Sequence, residues 1–494
     1  MADAEDVGDE VLWTAAQCGS ASAVRRILHS PSWDPKPLTV RKALYVAIRN
    51  DHRDTVAAFV RFHGERTFAQ RYPYVMQVAA DVRSGAGAAT VATLLAARVD
   101  VDAVDAEAIP GLTSVHVAVR AGNVHVLRVL VDAKANVNLV SSVREGTALL
   151  DATKCRAQCM EIRHALEKEN ANVDLSHLRR LIVEGCGARS AEMVHMLLAA
   201  KAQVNTTWQS GVTPLLAAAA NGFDDSVRLL LDAKAAVDAP RKETYPRLLA
   251  GPLLIASAKG FSQVVSRLCE AKACLDAGNR KGETPLFAAA HQGHVETARV
   301  LVASKADVNG DVGQYGATPL LAASMNGYSK VANFLLSCKA DVDKDIAEHR
   351  DYVGLDLLML ERQFPHSADT ISTAARMRVE GGMTPVCVAA RNGQTRIVRL
   401  LVQAKCDTGK RVTWYGWTPL HYAAAEGHCE IVRLLCRAAC AQADEAPGQE
   451  HVAEARSFQQ KWAVRGAYKV RAGATFMDVA HTCGVADKVS QALM

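Results

Sequence analysis

Residues 416–440, GWTPLHYAAAEGHCEIVRLLCRAAC, constrain the fold more than any other stretch, because much of the chain repeats them. Gly416 marks a turn. Thr418 ahead of Pro419 predicts a helix N-cap followed by proline at the first helical position. Gly427 ends that helix, and Ile431, Val432, Leu434 and Leu435 then recur at helical spacing. The product is a pair of short helices whose apolar face is too small to be stable alone. Aligned on the Thr position, counterparts stand at Thr113, Thr147, Arg180, Thr213, Gly251, Thr284, Thr318, Thr384 and Thr475. The separations are 34, 33, 33, 38, 33, 34, 66, 34 and 57 residues, so a period of about 33 runs through the chain. Such a period predicts one elongated body in which each pair buries its faces on its neighbours.

Thr418-Pro419-Leu420-His421, repeated at that period, resembles the ankyrin-repeat family from about Asp9 to the C-terminus. The resemblance implies an all-α ankyrin-repeat solenoid of paired antiparallel helices with β-hairpin or loop fingers, in about 12–14 units including degenerate caps. Residues 1–105 read as degenerate N-terminal repeats and a cap. Residues 106–343 read as regular repeats, with worn units near 145–210 and a loop insertion at 239–250. Residues 344–381 are a worn repeat broken at Pro365, or an insertion. Regular repeats return at 382–445. An inserted helix or loop at 446–472 and a C-terminal capping repeat at 473–494 complete the chain.

Composition narrows the function. The residues are 49% apolar but only 5% aromatic, which suits small Ala and Leu contacts between close helices. A net charge of +5 over 494 residues is too diffuse to predict nucleic-acid binding. Met1–Glu10 is acidic and polar, unlike a secretory signal, and no run approaches the roughly 18 apolar residues of a membrane span. Cysteines such as Cys269, Cys387, Cys429 and Cys436 sit among Leu, Val and Ala. They predict reduced, buried thiols in a cytoplasmic or nuclear protein.

Two features invite a catalytic or metal reading. His349-Arg350-Asp351 spells the start of a kinase catalytic loop, but Asp356 stands where that loop needs a magnesium-binding Asn. Cys429, Cys436, Cys440, His421 and His428 cluster in one repeat, yet Cys436 and Cys440 have no matching second pair at zinc spacing. The expectation is therefore no enzyme, no metal and no cofactor. His116 and His421 hold the motif's histidine position, which in ankyrin-like repeats is a structural hydrogen-bonder between neighbouring fingers.

The resemblance puts partner contacts at the finger tips and after the paired alanines. In the strongest repeat these are Trp414, Tyr415, Trp417 and Glu426. Neighbouring units add Gln314, Tyr315, Met325 and Asn326; Arg280, Lys281, Glu283, His291 and Gln292; and Met383, Arg391 and Asn392. Trp and Tyr are enriched at binding hot spots, so the 414–417 tip is the expected anchor. A basic wall is expected from Trp462, Tyr468, Lys461, Arg465, Lys469 and Arg471 in the inserted helix.

One departure from the family is systematic. Its second helix usually ends in Gly; here the position is Lys134, Lys201, Lys234, Lys272, Lys305, Lys339 or Lys405. This basic ladder reads as a helix-capping device or as a surface for an acidic partner. Asn138, Asn205 and Asn309 match a position that family-like repeats can hydroxylate.

The sequence thus points to a non-catalytic scaffold or adaptor, a monomer presenting a concave groove to one or more protein partners, with no nucleic acid. One rival is a substrate-receptor or targeting subunit of an enzyme complex such as a ubiquitin ligase or phosphatase. The other is a membrane–cytoskeleton linker, touching lipid only peripherally.

Overall fold

Threonine and proline decide where each helix pair begins. In the computed structural model, Thr113, Thr213, Thr284 and Thr318 have extended backbone, and each side-chain oxygen accepts the amide three residues on, at 3.5, 3.2, 3.2 and 3.2 Å. Each thus satisfies an amide that the first helical turn leaves without an internal acceptor. Thr384 differs, because its hydroxyl donates to Cys387 Sγ at 3.2 Å instead. The structure describes residues 2–30, 37–72, 75–81, 87–104, 111–141, 146–154, 175–207, 211–238, 251–279, 282–310, 316–345, 382–411, 417–445, 461–464 and 468–471.

The chain divides into two compact units, Met1–Leu248 and Leu249–Met494. In the first, the helix pairs are α1 (Ala2–Gln17) with α2 (Ala21–Leu28), α3 (Pro37–Arg49) with α4 (Arg53–His63), and α6 (Val75–Ala80) with α7 (Ala88–Ala96). There follow α8 (Ser114–Ala121) with α9 (Val124–Asp132), α10 (Ala148–Ala152) with α11 (Leu175–Ala199), and α12 (Pro214–Asn221) with α13 (Asp224–Asp232). A short α5 (Glu65–Arg71) lies between the second and third pairs. The second unit pairs α14 (Pro252–Lys259) with α15 (Ser262–Glu270), α16 (Pro285–His291) with α17 (Val295–Ala303), and α18 (Pro319–Asn326) with α19 (Ser329–Ser337). Its last pairs are α20 (Pro385–Arg391) with α21 (Thr395–Gln403) and α22 (Pro419–Ala425) with α23 (Cys429–Glu445). Within each unit first helices pack on first helices and second on second, so the fold is an all-α solenoid of stacked pairs.

Composition explains the layering. Every residue from Pro214 to Ala220 is buried, as is every one from Pro285 to Ala290, since alanine lets first helices approach closely on both sides. Second helices bury one stripe only, as with Thr297, Ala298 and Leu301 in α17.

In the first worn region, near 145–210, one layer stands where the period counts two. Asn221 Nδ2 donates to the Thr153 carbonyl at 3.0 Å, and the Gln203 amide donates to Asn138 Oδ1 at 2.8 Å. The finger at 136–138 therefore lies beside that at 203–205, and Arg180 falls inside α11 instead of capping a first helix. Likewise Asn392 Nδ2 reaches the Met325 carbonyl at 3.0 Å and the Asp407 amide reaches Asp343 Oδ1 at 2.9 Å. The layers before residue 346 and after residue 381 touch directly. Eleven pairs are described; the expected cap at 473–494 and the loop at 239–250 lie outside the described residues.

The helix expected within 446–472 is replaced at its end by a hairpin. Strand β1 (Lys461–Val464) runs antiparallel to β2 (Tyr468–Arg471), with Lys461 opposite Arg471 and Val464 opposite Tyr468. In β2, Tyr468-Lys469-Val470-Arg471 alternates apolar and basic at period two, and in β1 the bulky Trp462 and Val464 stand two apart with Ala463 between, a strand pattern that overrides helical propensity.

All seven ladder lysines are exposed and left-handed, at φ of 61°, 60°, 64°, 62°, 74°, 64° and 61° from Lys134 to Lys405. Arg98, at φ 57°, is an eighth member that the lysine pattern does not include. The geometry is a Schellman close: the Ala135 amide reaches back to the Leu130 carbonyl at 3.0 Å, while Ala135 itself is buried. An L residue there costs roughly 1–2 kcal/mol. The cation's interaction with the helix C-terminus offsets about 0.3–1 kcal/mol of it. Lys234→Gly should accordingly stabilise the fold by up to about 1 kcal/mol, read as a higher urea midpoint at unchanged slope. A lower midpoint would mean that the lysine side chain contributes more than its backbone costs.

Candidate functional site

Trp417 is the described remnant of the expected aromatic tip. It is half-buried and packs on a buried cluster of Phe287, Leu321, Met325, Met383, Cys387 and Tyr422. Its ring stacks on His421 at 6.2 Å between centroids and meets Tyr422 edge-on at 5.1 Å. His421 is itself fixed, its Nδ1 lying 3.2 Å from the Thr418 amide and 2.7 Å from the Thr418 hydroxyl. The cluster it packs on draws residues from four successive first helices, so the indole is anchored at the root of the finger. Trp414 and Tyr415 lie outside the described residues, as do Gln314, Tyr315, Arg280 and Lys281.

Several expected contact residues are spent on the fold. Met325 and Met383 are 3% and 1% exposed, both inside that cluster, so neither is free to meet a partner. Glu283 is buried and clamps its finger: Asn279 Nδ2 donates to its carboxylate at 2.7 Å, and its own amide donates back to Asn279 Oδ1 at 3.0 Å. His291 is largely enclosed and stacks on Phe287, with its Nδ1 buried and lacking a hydrogen-bond partner. Burial alone pushes its pKa down to about 4. Gln292, Arg391 and Glu426 remain wholly or partly exposed, at the C-terminal ends of their first helices.

Asn326 and Asn392 do a job that their motif position does not foretell. The carbonyl two residues before each turn glycine needs a donor from the next layer. Where the residue after the next glycine is histidine, its Nε2 supplies it: His294 to Ala258 at 3.1 Å and His428 to Arg391 at 3.1 Å. Where that residue is Tyr328 or Gln394, an asparagine just before the glycine takes over. Asn326 reaches His291 at 2.9 Å and Asn392 reaches Met325 at 3.0 Å.

The fingers carry a second ladder. Asn138, Asn205 and Asn309 each accept, through Oδ1, a backbone amide of the next finger at 2.8 Å, and Asp276 and Asp343 do likewise at 3.1 and 2.9 Å. The asparagines expected as modification sites are thus joints between layers. His116 behaves as the family resemblance implied: it is buried, with Nδ1 2.8 Å from the Thr113 hydroxyl and Nε2 3.1 Å from the Gly146 carbonyl of the next finger.

The ladder's charge is diluted, and of the four cysteines expected to be buried only Cys387 is, Cys269, Cys429 and Cys436 being half-buried on the one-sided second helices. An exposed carboxylate stands two residues from six of the seven ladder lysines, at Asp132, Asp232, Glu270, Asp307, Asp341 and Asp407, which dilutes any acidic-partner field. Burial pushes the Cys387 and Cys406 thiols up to about 12, far from the thiolate form. Among the described residues no group of three or more His, Cys, Asp or Glu could hold a metal ion, and no helix is long and apolar enough to cross a membrane. His349–Asp351 lies outside them.

Comparison with known proteins agrees with this architecture. The family model described as ankyrin repeats in three copies matches residues 253–346 and 354–444, and the single ankyrin-repeat model matches 111–142 and 210–242. The second of the three-copy spans starts at residue 354, so repeat-like sequence runs through 354–381 although the layers before 346 and after 381 touch. Among solved structures, the human ASB11 ankyrin repeat domain is 22% identical, with a TM-score of 0.39. The match covers 52% of this chain and 96% of that one. No curated protein matches.

Proposed function

This chain belongs to the ankyrin-repeat family, a fold typically non-catalytic and given to binding proteins, and on that premise we propose that it is a scaffold or adaptor. Its partners dock on the finger side of the second unit, around residues 414–417. The observation that carries this reading is Trp417, a half-buried indole clamped between His421 and Tyr422 at the root of the finger. An anchored root lets a finger present its tip at low entropic cost on binding. Gln292, Arg391 and Glu426 supply exposed polar groups at the far ends of the same first helices.

The two tryptophans call for different tests. Trp417→Ala removes core packing as well as any contact, so a loss of about 1–2 kcal/mol in stability is expected from it. Trp414→Ala and Tyr415→Ala are the cleaner probes. In a pull-down from cell extract they should lose proteins that wild type captures while melting at the wild-type temperature. Recovery of the same proteins by all three would show that recognition lies elsewhere.

A further inference from the structure

The second-helix row of the second unit carries a basic face that neither the finger ladder nor the aromatic tip predicts. The exposed charges of α19, α21 and α23 are Lys330, Arg396, Arg399, Arg433 and Arg437, and the one carboxylate among their described side chains is Glu430. These helices pack side by side, so the cations share one surface. The preceding helices differ: α15 has Arg267 with Glu270, and α17 has Glu296 with Arg299.

Two of these cations stand where the fold would favour acids. Along the row, the fifth residue of one second helix faces the second residue of the next. Arg399 meets Glu430 in this way at 3.2 Å. In the first unit Arg128 meets Glu192 at 3.2 Å; Glu192 lies inside α11 but holds the same place relative to the ladder lysine. Lys330 occupies the same place opposite Arg299, which turns instead onto the Phe334 ring at 5.0 Å and its own Glu296 at 3.5 Å. Lys330 and Arg396 also sit in the first turns of α19 and α21, which contain no acid, where the helix dipole disfavours a cation. Stability does not account for either residue.

We propose that this face is a second docking surface, for a glutamate- or aspartate-rich segment of a protein partner. Guanidinium groups pair carboxylates in a bidentate way, and three adjacent helices space them along an extended chain. A lipid surface fits less well, because the large exposed apolar side chains among the described residues (Val11, Trp13, Leu38, Val104 and Val140) all belong to the other unit. Single-stranded nucleic acid would want stacking rings, and the one aromatic described on these helices, Phe334, lies under Arg299.

The test compares the full-length protein with its Lys330→Glu/Arg396→Glu variant, using a fluorescein-labelled oligoglutamate peptide in anisotropy titrations at low and high salt. Wild type should bind at low salt and release as salt rises. The variant should bind roughly ten-fold more weakly or worse while melting no lower than wild type, since both new carboxylates sit at helix N-termini. Equal affinity of the two proteins overturns the proposal. So does capture of wild type by phosphatidylserine vesicles or an oligonucleotide without binding of the peptide. Either result leaves the finger-side reading untouched, because Trp414 and Tyr415 play no part in it.

Discussion

Gly293→Ala should destabilise the second unit by about 2–5 kcal/mol, the sum of two separable costs. Gly293 has φ of +79°, where an L side chain loses roughly 1–2 kcal/mol through its own backbone. A methyl built there would also lie 2.6 Å from Cδ1 and 2.7 Å from Cε1 of Tyr328, the residue that opens α19 in the next layer. An aromatic ring at a helix start has little room to retreat, so overpacking adds about 1–3 kcal/mol. Gly122 provides the control, since it has the left-handed geometry (φ 69°, ψ 22°) and the same pair of closing backbone bonds, yet a methyl there would meet only the flexible Arg189 side chain at 3.3 Å. Gly122→Ala should show chiefly the backbone cost. Combining Gly293→Ala with Tyr328→Ala should recover most of the steric part, giving a coupling energy that a double-mutant cycle can read. If Gly293→Ala costs no more than Gly122→Ala, the layers are looser than their geometry implies.

The repeating unit is legible in the sequence because it depends on residues with strong local preferences: threonine to cap, proline to start, glycine to turn. The left-handed lysines are legible for the same reason, since they replace a family glycine at one fixed position. Information held between layers is not legible in this way. A separation of twice the period fits two repeats or one repeat with an insertion, and the bond from Asn392 to Met325 across that gap is set between layers, where no local motif reads it. Asn326 and Asn392 resemble contact residues because the motif places them after the alanines. Yet the rule that governs them has a sequence signal, because Asn-Gly and Gly-His alternate as two ways to supply one donor. Met325 and Met383 fall in the core and not on the surface because a motif position gives a direction and not a depth. The strand pair 461–464 and 468–471 reads as a helix when only the closely spaced basic residues are weighed, whereas the two-residue spacing of Trp462 with Val464 and of Tyr468 with Val470 has the period of a strand.

Acidification should weaken the second unit between about pH 6.5 and 4, and His291 should carry much of the effect. Above pH 6.5 the imidazole is neutral in both folded and unfolded chains, so it adds no pH dependence. Below that, the unfolded chain takes up a proton that the folded protein refuses, because burial beside Phe287 holds the folded pKa down at about 4. Stability therefore falls by up to 1.36 kcal/mol per pH unit, about 3 kcal/mol in all, and levels off once the folded form also protonates. Asp343 acts in the opposite sense. Its pKa is raised, chiefly by burial, so its contribution grows as pH drops toward the carboxylate range and blunts the lower end of the loss. Replacing His291 by leucine removes the titrating group and an Nδ1 that has no hydrogen-bond partner, while the backbone carbonyl that receives Asn326 stays in place. His291→Leu should match wild type within about 1 kcal/mol at pH 7 and pull ahead as pH falls to 4, in urea melts taken across the range. Parallel curves for the two proteins would mean that His291 reaches solvent readily, and would return it to the finger-side surface as a residue available to a partner.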